Sequence, residues 1–315
     1  MSKPIHLQLT LHASPSDVFH ALTDEKALTT WFAEHAAVSL EEKRYDFWGR
    51  FTPETPTQAQ GRHDIDLVEP NRRLRFTWPL RGEDTTVDLR LTERDGKTVL
   101  GVWHHNVRGI PRLEAGCYSV DDLWFLWLEN LRRYIDGRPV ARADFQADKT
   151  GDLSLSVDID GSTDAVWDAL TKPDQLNRYF SSNATVEPTV GGVWIDWGEG
   201  EGALRVLEME RGKKLSLGWE IEGTPTVVTW TLEESGGKTR LTLAHSGFAT
   251  DRHSDAEWGG WLNYLGLIRS LVEFGLDWLP PVKEITQQVA LYYASSIWAH
   301  QDELLGEEDE EWGES

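Results

Sequence analysis

Val228-Thr-Trp-Thr-Leu-Glu-Glu-Ser-Gly-Gly-Lys-Thr-Arg-Leu-Thr-Leu-Ala-His-Ser-Gly-Phe248 decides the fold. Val228, Trp230 and Leu232 alternate with polar residues, the period of a strand with one buried face. Gly236-Gly237 supplies the positive φ that a tight hairpin turn requires. Leu241, Leu243 and His245 alternate on the way back, so parity sets His245 on the face of two core leucines. The hairpin also occurs earlier in the chain. Val87, Leu89 and Leu91 lead to Arg94-Asp-Gly-Lys-Thr98, then Leu100, Val102 and His104 return, and His104 falls on His245.

Working outward, the flanking blocks repeat as well. Leu74, Phe76 and Trp78 answer Leu215, Leu217 and Trp219. Upstream, the strand Ile5–Leu11 and the capped helix start Ser14-Pro-Ser-Asp17 answer Leu153–Ile159 and Ser162-Thr-Asp164. Downstream, Trp124, Trp127, Leu128, Leu131 and Ile135 lie at helical spacing, as do Trp258, Trp261, Leu262, Leu265, Ile268 and Leu271. Each copy therefore reads as strand, two short helices, about six antiparallel strands and a long C-terminal helix. A twisted sheet with its helices on one side must curl around the long helix to bury both. The expected class is α+β, two domains of one curved antiparallel sheet each, wrapped around a long helix near 121–136 and 257–274.

The resulting organisation is a divergent first copy over 1–137, a polar linker over 138–150 and a second copy over 151–279. Val282, Ile285, Val289, Tyr292, Tyr293, Ser296 and Ile297 predict an added amphipathic helix within 280–300, followed by an acidic tail, 301–315. The added apolar stripe has no place inside either copy, so the copies are expected to face each other as a pseudo-symmetric pair.

Both copies resemble the AHSA-like domain (activator of heat-shock-protein-90 ATPase homologue-like) of the START-related SRPBCC superfamily. The residues that carry the resemblance are Ser162-Thr-Asp-Ala-Val-Trp-Asp-Ala-Leu-Thr171, Gly191-Gly-Val-Trp194, Gly237–Phe248 and Gly260-Trp261. It implies the helix-grip, START-like fold. It does not select a reaction, because members of such a superfamily share architecture rather than chemistry.

Composition narrows the function. The formal charge is −22, with 31 basic residues against 53 acidic ones. That disfavours nucleic acid and anionic membranes, whose binding rests on basic surface. The acidic tail reads as a solubilising surface or a binding segment. Cys117 is the only cysteine, so no intrachain disulfide or thiolate cluster can form. No run is long enough to span a membrane, and Met1–His6 has no apolar signal core, so the cytoplasm is the expected compartment.

The candidate site is the space between sheet and long helix. Parity and spacing aim Trp194, Trp219, Trp230, His245, Trp258, Trp261 and Leu265 into the second copy, and Trp78, His104 and Trp124 into the first. Asp196 shares the parity of Trp194. These residues fit a packed core or a cavity for an apolar or aromatic ligand carrying an acceptor for an indole N–H. Gly191-Gly192 lets the second sheet bend, which predicts the roomier pocket there.

His104 and His105 point to opposite faces of a strand and cannot chelate together, and no metal or cofactor is expected. Three readings follow: binding of a small apolar molecule, a cyclase- or hydrolase-like enzyme using a cavity histidine or aspartate, and a chaperone-associated adaptor.

Overall fold

A computed structural model describes residues 5–107, 119–181, 183–195 and 203–283. The first copy opens with β1 (Ile5–Leu11), α1 (Pro15–Thr23) and α2 (Glu25–Trp31). The hairpin β2 (His35–Ser39) and β3 (Arg44–Trp48) follows, then β4 (Ile65–Glu69), β5 (Arg73–Leu80), β6 (Glu83–Arg94), β7 (Lys97–His105) and the long α3 (Val120–Ile135). The second copy repeats this as β8 (Leu153–Ile159), α4 (Thr163–Thr171), α5 (Pro173–Tyr179), β9 (Thr185–Val186), β10 (Val193–Ile195), β11 (Leu204–Glu210), β12 (Lys214–Ile221), β13 (Thr224–Ser235), β14 (Lys238–Ser246) and α6 (Asp255–Phe274).

The two hairpins form in the register that their alternation requires. Val228 pairs with His245 and Leu232 with Leu241; Val87 pairs with His104 and Leu91 with Leu100. Gly236-Gly237 and Asp95-Gly96 fill the two-residue turns with positive φ throughout, the geometry that matches the right-handed twist of the flanking strands. The second sheet runs β8-β14-β13-β12-β11-β10-β9. In the first copy β2 and β3 form a separate two-stranded sheet, because the inserted Thr52–Thr57 separates β3 from β4. Backbone bonds from Tyr45 to His63 and from Phe47 to Gly61 still tie β3 to the chain that returns.

Each sheet closes over its long helix, so the class is α+β with two helix-grip domains. Ser14 and Ser162 cap α1 and α4 by accepting the Asp17 and Ala165 backbone N–H groups. In the first copy Leu123, Trp124, Trp127, Leu128 and Leu131 bury against Leu74, Phe76, Val87, Leu89, Leu100 and Val102. Each such leucine contributes on the order of 2 kcal/mol by leaving water. Among the described residues no helix is long and apolar enough to cross a bilayer.

The two copies are joined through the outer faces of α3 and α6. Asn263 donates to Asp122 at 3.2 Å, Ser270 donates to Glu129 at 2.7 Å, and Arg133 pairs with Glu273 at 2.5 Å. These partners rise together along both helices, so the helices run parallel. Gly266 faces Leu126, with no side chain of its own to hold the helices apart. If Trp124 and Trp261 are taken as equivalent, Glu129 matches Gly266 but meets Ser270, one turn further on. The expected pseudo-symmetric pair is thus a staggered one. Trp278 also donates to Glu129, at 3.3 Å, and Arg132 to the Leu279 carbonyl, at 2.6 Å.

The helix anticipated within 280–300 does not begin where its apolar spacing does. Val282–Lys283 forms a short strand, β15, pairing antiparallel with β1, which makes the first sheet β15-β1-β7-β6-β5-β4. Pro280-Pro281 favours extended backbone at this point. The remainder of that helix and the acidic tail lie outside the described residues.

Glu273 anchors the seam. Burial alone would raise its pKa, but the Asp160 N–H, Arg133 and Arg269 hold it below the ordinary carboxylate value. Glu273→Ala leaves the buried Arg133 without its partner and should cost about 3–5 kcal/mol. Denaturant unfolding of the full chain measures this; a loss below about 1 kcal/mol would show that the pair does not hold the seam.

Candidate functional site

His104 and His245 are completely buried, and each is the centre of the same hydrogen-bonded chain. The Trp124 indole N–H donates to His104 Nδ1 at 3.0 Å, and that of Trp261 to His245 Nδ1 at 3.0 Å. An indole N–H can only donate, so Nδ1 accepts and the proton of the neutral ring sits on Nε2. Nε2 then donates to Thr85 Oγ1 at 2.6 Å, or to Thr226 Oγ1 at 2.9 Å. The two threonine hydroxyls donate onward to the Trp78 and Trp219 carbonyls, at 2.5 and 2.8 Å. Trp78 and Trp219 stack on the imidazoles, with centroids 5.8 and 5.6 Å away.

Each chain runs from long helix to hairpin to the neighbouring strand and leaves no ring nitrogen open. Burial pushes the His104 pKa down to about 3, helped by His105, and burial pushes that of His245 down to about 4. A ring that is neutral and bonded at both nitrogens has neither a lone pair nor a proton to offer a substrate. This geometry favours an anchoring role over acid or base catalysis. Thr85 and Thr226 were not anticipated; their signal was the 141-residue offset they share with the histidines.

The remaining candidates separate. Trp78 and Trp124 line a void of about 20 Å³ in the first copy with Leu22, Phe32, Tyr45 and Trp127, among others. Trp194, Trp230 and Trp261 line one of about 10 Å³ in the second, with Tyr264 and Leu217. Each void holds about one water molecule, so the second copy is not the roomier. Trp219 stacks on His245, whereas Trp258 turns toward the 143–149 segment, where Phe145 packs edge-on at 5.4 Å and the Lys149 ammonium sits 4.5 Å from its ring centre. Leu265 is buried outside the void lining, and Asp196 lies outside the described residues.

Trp78 in one void and Trp194 in the other carry buried indole nitrogens with no hydrogen-bond partner. A third buried histidine, His63, also escaped the sequence reading. Its Nδ1 lies 3.1 Å from the Tyr45 carbonyl, so Nδ1–H donates and Nε2 is a bare acceptor without a partner. It stacks on Phe47 at 3.9 Å, and burial pushes its pKa down to about 4. Single-residue spacing gives no hint of it, because Arg62-His-Asp64 reads as a polar loop. Among the described residues no three His, Cys, Asp or Glu side chains gather as a metal set.

Two curved sheets, each wrapped on its own helix and pinned to it by the same buried histidine, define a tandem helix-grip protein. The sequence model of the family described as "Activator of Hsp90 ATPase homolog 1-like protein" matches residues 12–136 and 160–273. The chain belongs to that family, once in each copy. No curated protein matches it.

Among solved structures, DynU16, from the dynemicin biosynthetic locus, is similar at 20% identity and a TM-score of 0.33, covering 87% of this chain and 99% of its own. MLL2253 of Mesorhizobium loti is similar at 26% identity and a TM-score of 0.34, covering 39% of this chain and 97% of its own. CalU16 of Micromonospora echinospora stands at 29% and 0.33, covering 38% and 76%.

The neutral histidines fix a pH dependence. His63, His104 and His245 have folded pKa values far below the unfolded value of about 6.5. Below that value the unfolded chain binds protons that the folded chain refuses, so acid destabilises. Stability should be intact above about pH 6.5 and fall by about 1.4 kcal/mol per pH unit per histidine down to pH 4, where His63 and His245 begin to titrate in the folded state. Urea unfolding at pH 7 and pH 5 tests the sign; equal midpoints would overturn the neutral assignment.

Proposed function

We propose that the chain binds a small, mainly apolar ligand carrying a hydrogen-bond acceptor, held between sheet and long helix. One observation carries this reading: each copy has an unpartnered indole N–H, Trp78 or Trp194, on the wall of a void lined by leucine and aromatic side chains. A buried donor without a partner costs about 1–3 kcal/mol. The same kind of uncompensated group in both copies suits a site whose partner arrives from outside. Because each void is the size of a water, the ligand enters by parting the helix from the sheet edge.

The first copy also has a mainly apolar crevice. Leu80, Val107, Val120, Leu123 and Trp127 border it together with Glu54 and Arg81, and Thr85, the partner of His104, lies in its wall. The histidines then act as pins that keep helix and sheet together while the edge gives way. Chaperone association is a second reading, favoured by the family description alone.

The ligand reading is tested with an aromatic ketone and the hydrocarbon of the same shape, followed by tryptophan fluorescence. The ketone should bind about tenfold more tightly, the worth of one recovered hydrogen bond. That advantage should shrink in Trp78→Phe and Trp194→Phe. Equal affinity for the pair, or no binding of either, would overturn it.

A further inference from the structure

The interiors of the two copies match, but the outer faces of their sheets do not. In the first copy the outward positions of β1, β5, β6 and β7 carry His6, Arg73, Arg75, Asp88, Arg90 and Trp103. The equivalent positions of the second copy hold Ser154, Lys214, Ser216, Thr229, Thr231 and Ala244. Trp103 lies flat across the first sheet over Gly101, where an added Cβ would come within 2.5 Å of its ring. His6 stacks on it at 4.4 Å, and the Arg90 guanidinium sits 4.4 Å from its ring centre. Asp88 points outward yet is only 2% exposed. Arg73 grips it with two bonds, of 2.9 and 2.6 Å, and Arg90 adds a third at 3.4 Å. Arg75 Nε is closed off from water without a hydrogen-bond partner, 4.0 Å from Asp66. An aromatic platform fenced by three arginines is a face built for something anionic.

The chain supplies a candidate itself. β15 sets Lys283 opposite Leu7 at the edge of this same sheet and runs antiparallel to β1, so the described chain ends at this edge heading toward the His6 end of β1. Residues 284–315 follow, and they include Asp302, Glu303, Glu307, Glu308, Asp309, Glu310, Glu311 and Glu314. Four strand spacings separate β15 from β5, a distance of about 19 Å. Residues 284–301 span about 27 Å even if wholly helical, and further if extended. The acidic run is therefore within reach of Arg73, Arg75 and Arg90. Setting these eight carboxylates aside, the rest of the chain still carries a formal charge of −14, so most of the remaining surface repels the segment.

We infer that the acidic segment 302–314 docks on the outer face of the first sheet, its carboxylates against Arg75 and the outer edges of Arg73 and Arg90. The second copy keeps one cation there, Lys214, paired with Glu208, and has Ser216 and Thr231 in place of Arg75 and Arg90, so it offers no such face. Docking would keep the arginine face closed to other anionic partners until salt or a stronger anion displaced the segment.

The full chain can report this with Cys117→Ser and Glu308→Cys combined with one further cysteine. Thr92→Cys places it on the outer face of the first sheet; Glu233→Cys is the matched position in the second. A short bismaleimide should couple 308 to 92 within one chain, several-fold faster than to 233. Coupling should fall toward the rate at 233 in about 0.5 M salt, where the screening length is about 4 Å. Arg75→Gln should do the same at low salt, and Arg75 is exposed enough that melting can verify an intact fold. Equal coupling to both faces, coupling only between chains, or coupling indifferent to salt and to Arg75→Gln would overturn the assignment.

Discussion

The structure depends on keeping two buried imidazoles neutral and fully bonded. A helix-grip domain has a weak direction: its long helix lies across a curved sheet on apolar contacts that are individually tolerant of sliding. Dispersion and burial hold the layers together without fixing their register. The chain from Trp124 through His104 and Thr85 to the Trp78 carbonyl fixes it, because each member has a single geometry that satisfies it. Any slide of the helix would leave an indole donor or an imidazole nitrogen bare in a dry interior. The second copy repeats the arrangement through Trp261, His245 and Thr226. Two copies that differ across most of their surfaces have kept one internal polar device.

The seam between the copies uses the opposite face of the same helices, so each long helix is committed on both sides. Toward its own sheet it presents tryptophans; toward its partner it presents Asp122, Glu129 and Arg133, or Asn263, Ser270 and Glu273. Glu129 and Glu273 tolerate burial there because each meets several donors. Glu129 receives Ser270 and Trp278 with Arg132 alongside, and Glu273 receives Arg133, Arg269 and the Asp160 N–H. The parallel, staggered packing sets the two sheet–helix voids apart, one in each copy, with the seam between them. Opening one copy at its edge therefore does not require the seam to break.

The hairpins and the repeat were legible because strand alternation and glycine turns are local signals, and both occurred twice. The inward direction of His104 and His245 followed from parity alone. Their bonding could not, since Thr85 and Thr226 lie nineteen residues away, where a threonine fits any strand. The seam was illegible for a related reason: Glu129, Arg132 and Arg133 have the composition of a solvated helix face, and only a second helix reverses that reading. Val282–Lys283 misled through spacing. An apolar stripe at helical intervals set the expectation, yet the paired prolines before it and an open edge on β1 favoured a strand. The flat Trp103 was passed over because one outward aromatic in a strand is ordinary until the neighbours that frame it are known.

Divergence after duplication sorts these features by what constrains them. A buried hydrogen-bonded chain tolerates no partial loss, since removing one member leaves the others unsatisfied at about 1–3 kcal/mol each. Both copies therefore hold it intact. Outward sheet positions are under no such coupling, and there the first copy carries arginine, histidine and tryptophan where the second carries lysine, serine, threonine and alanine. The unpartnered indoles fall between these cases. They are buried, so they cost stability as steadily as a broken chain would, yet each copy places one on its void, from β5 in the first and from β10 in the second. Different strands supplying the same bare donor at the same kind of wall is hard to derive from shared ancestry of one residue. It follows more directly if the void in each copy is shaped around what must meet that donor.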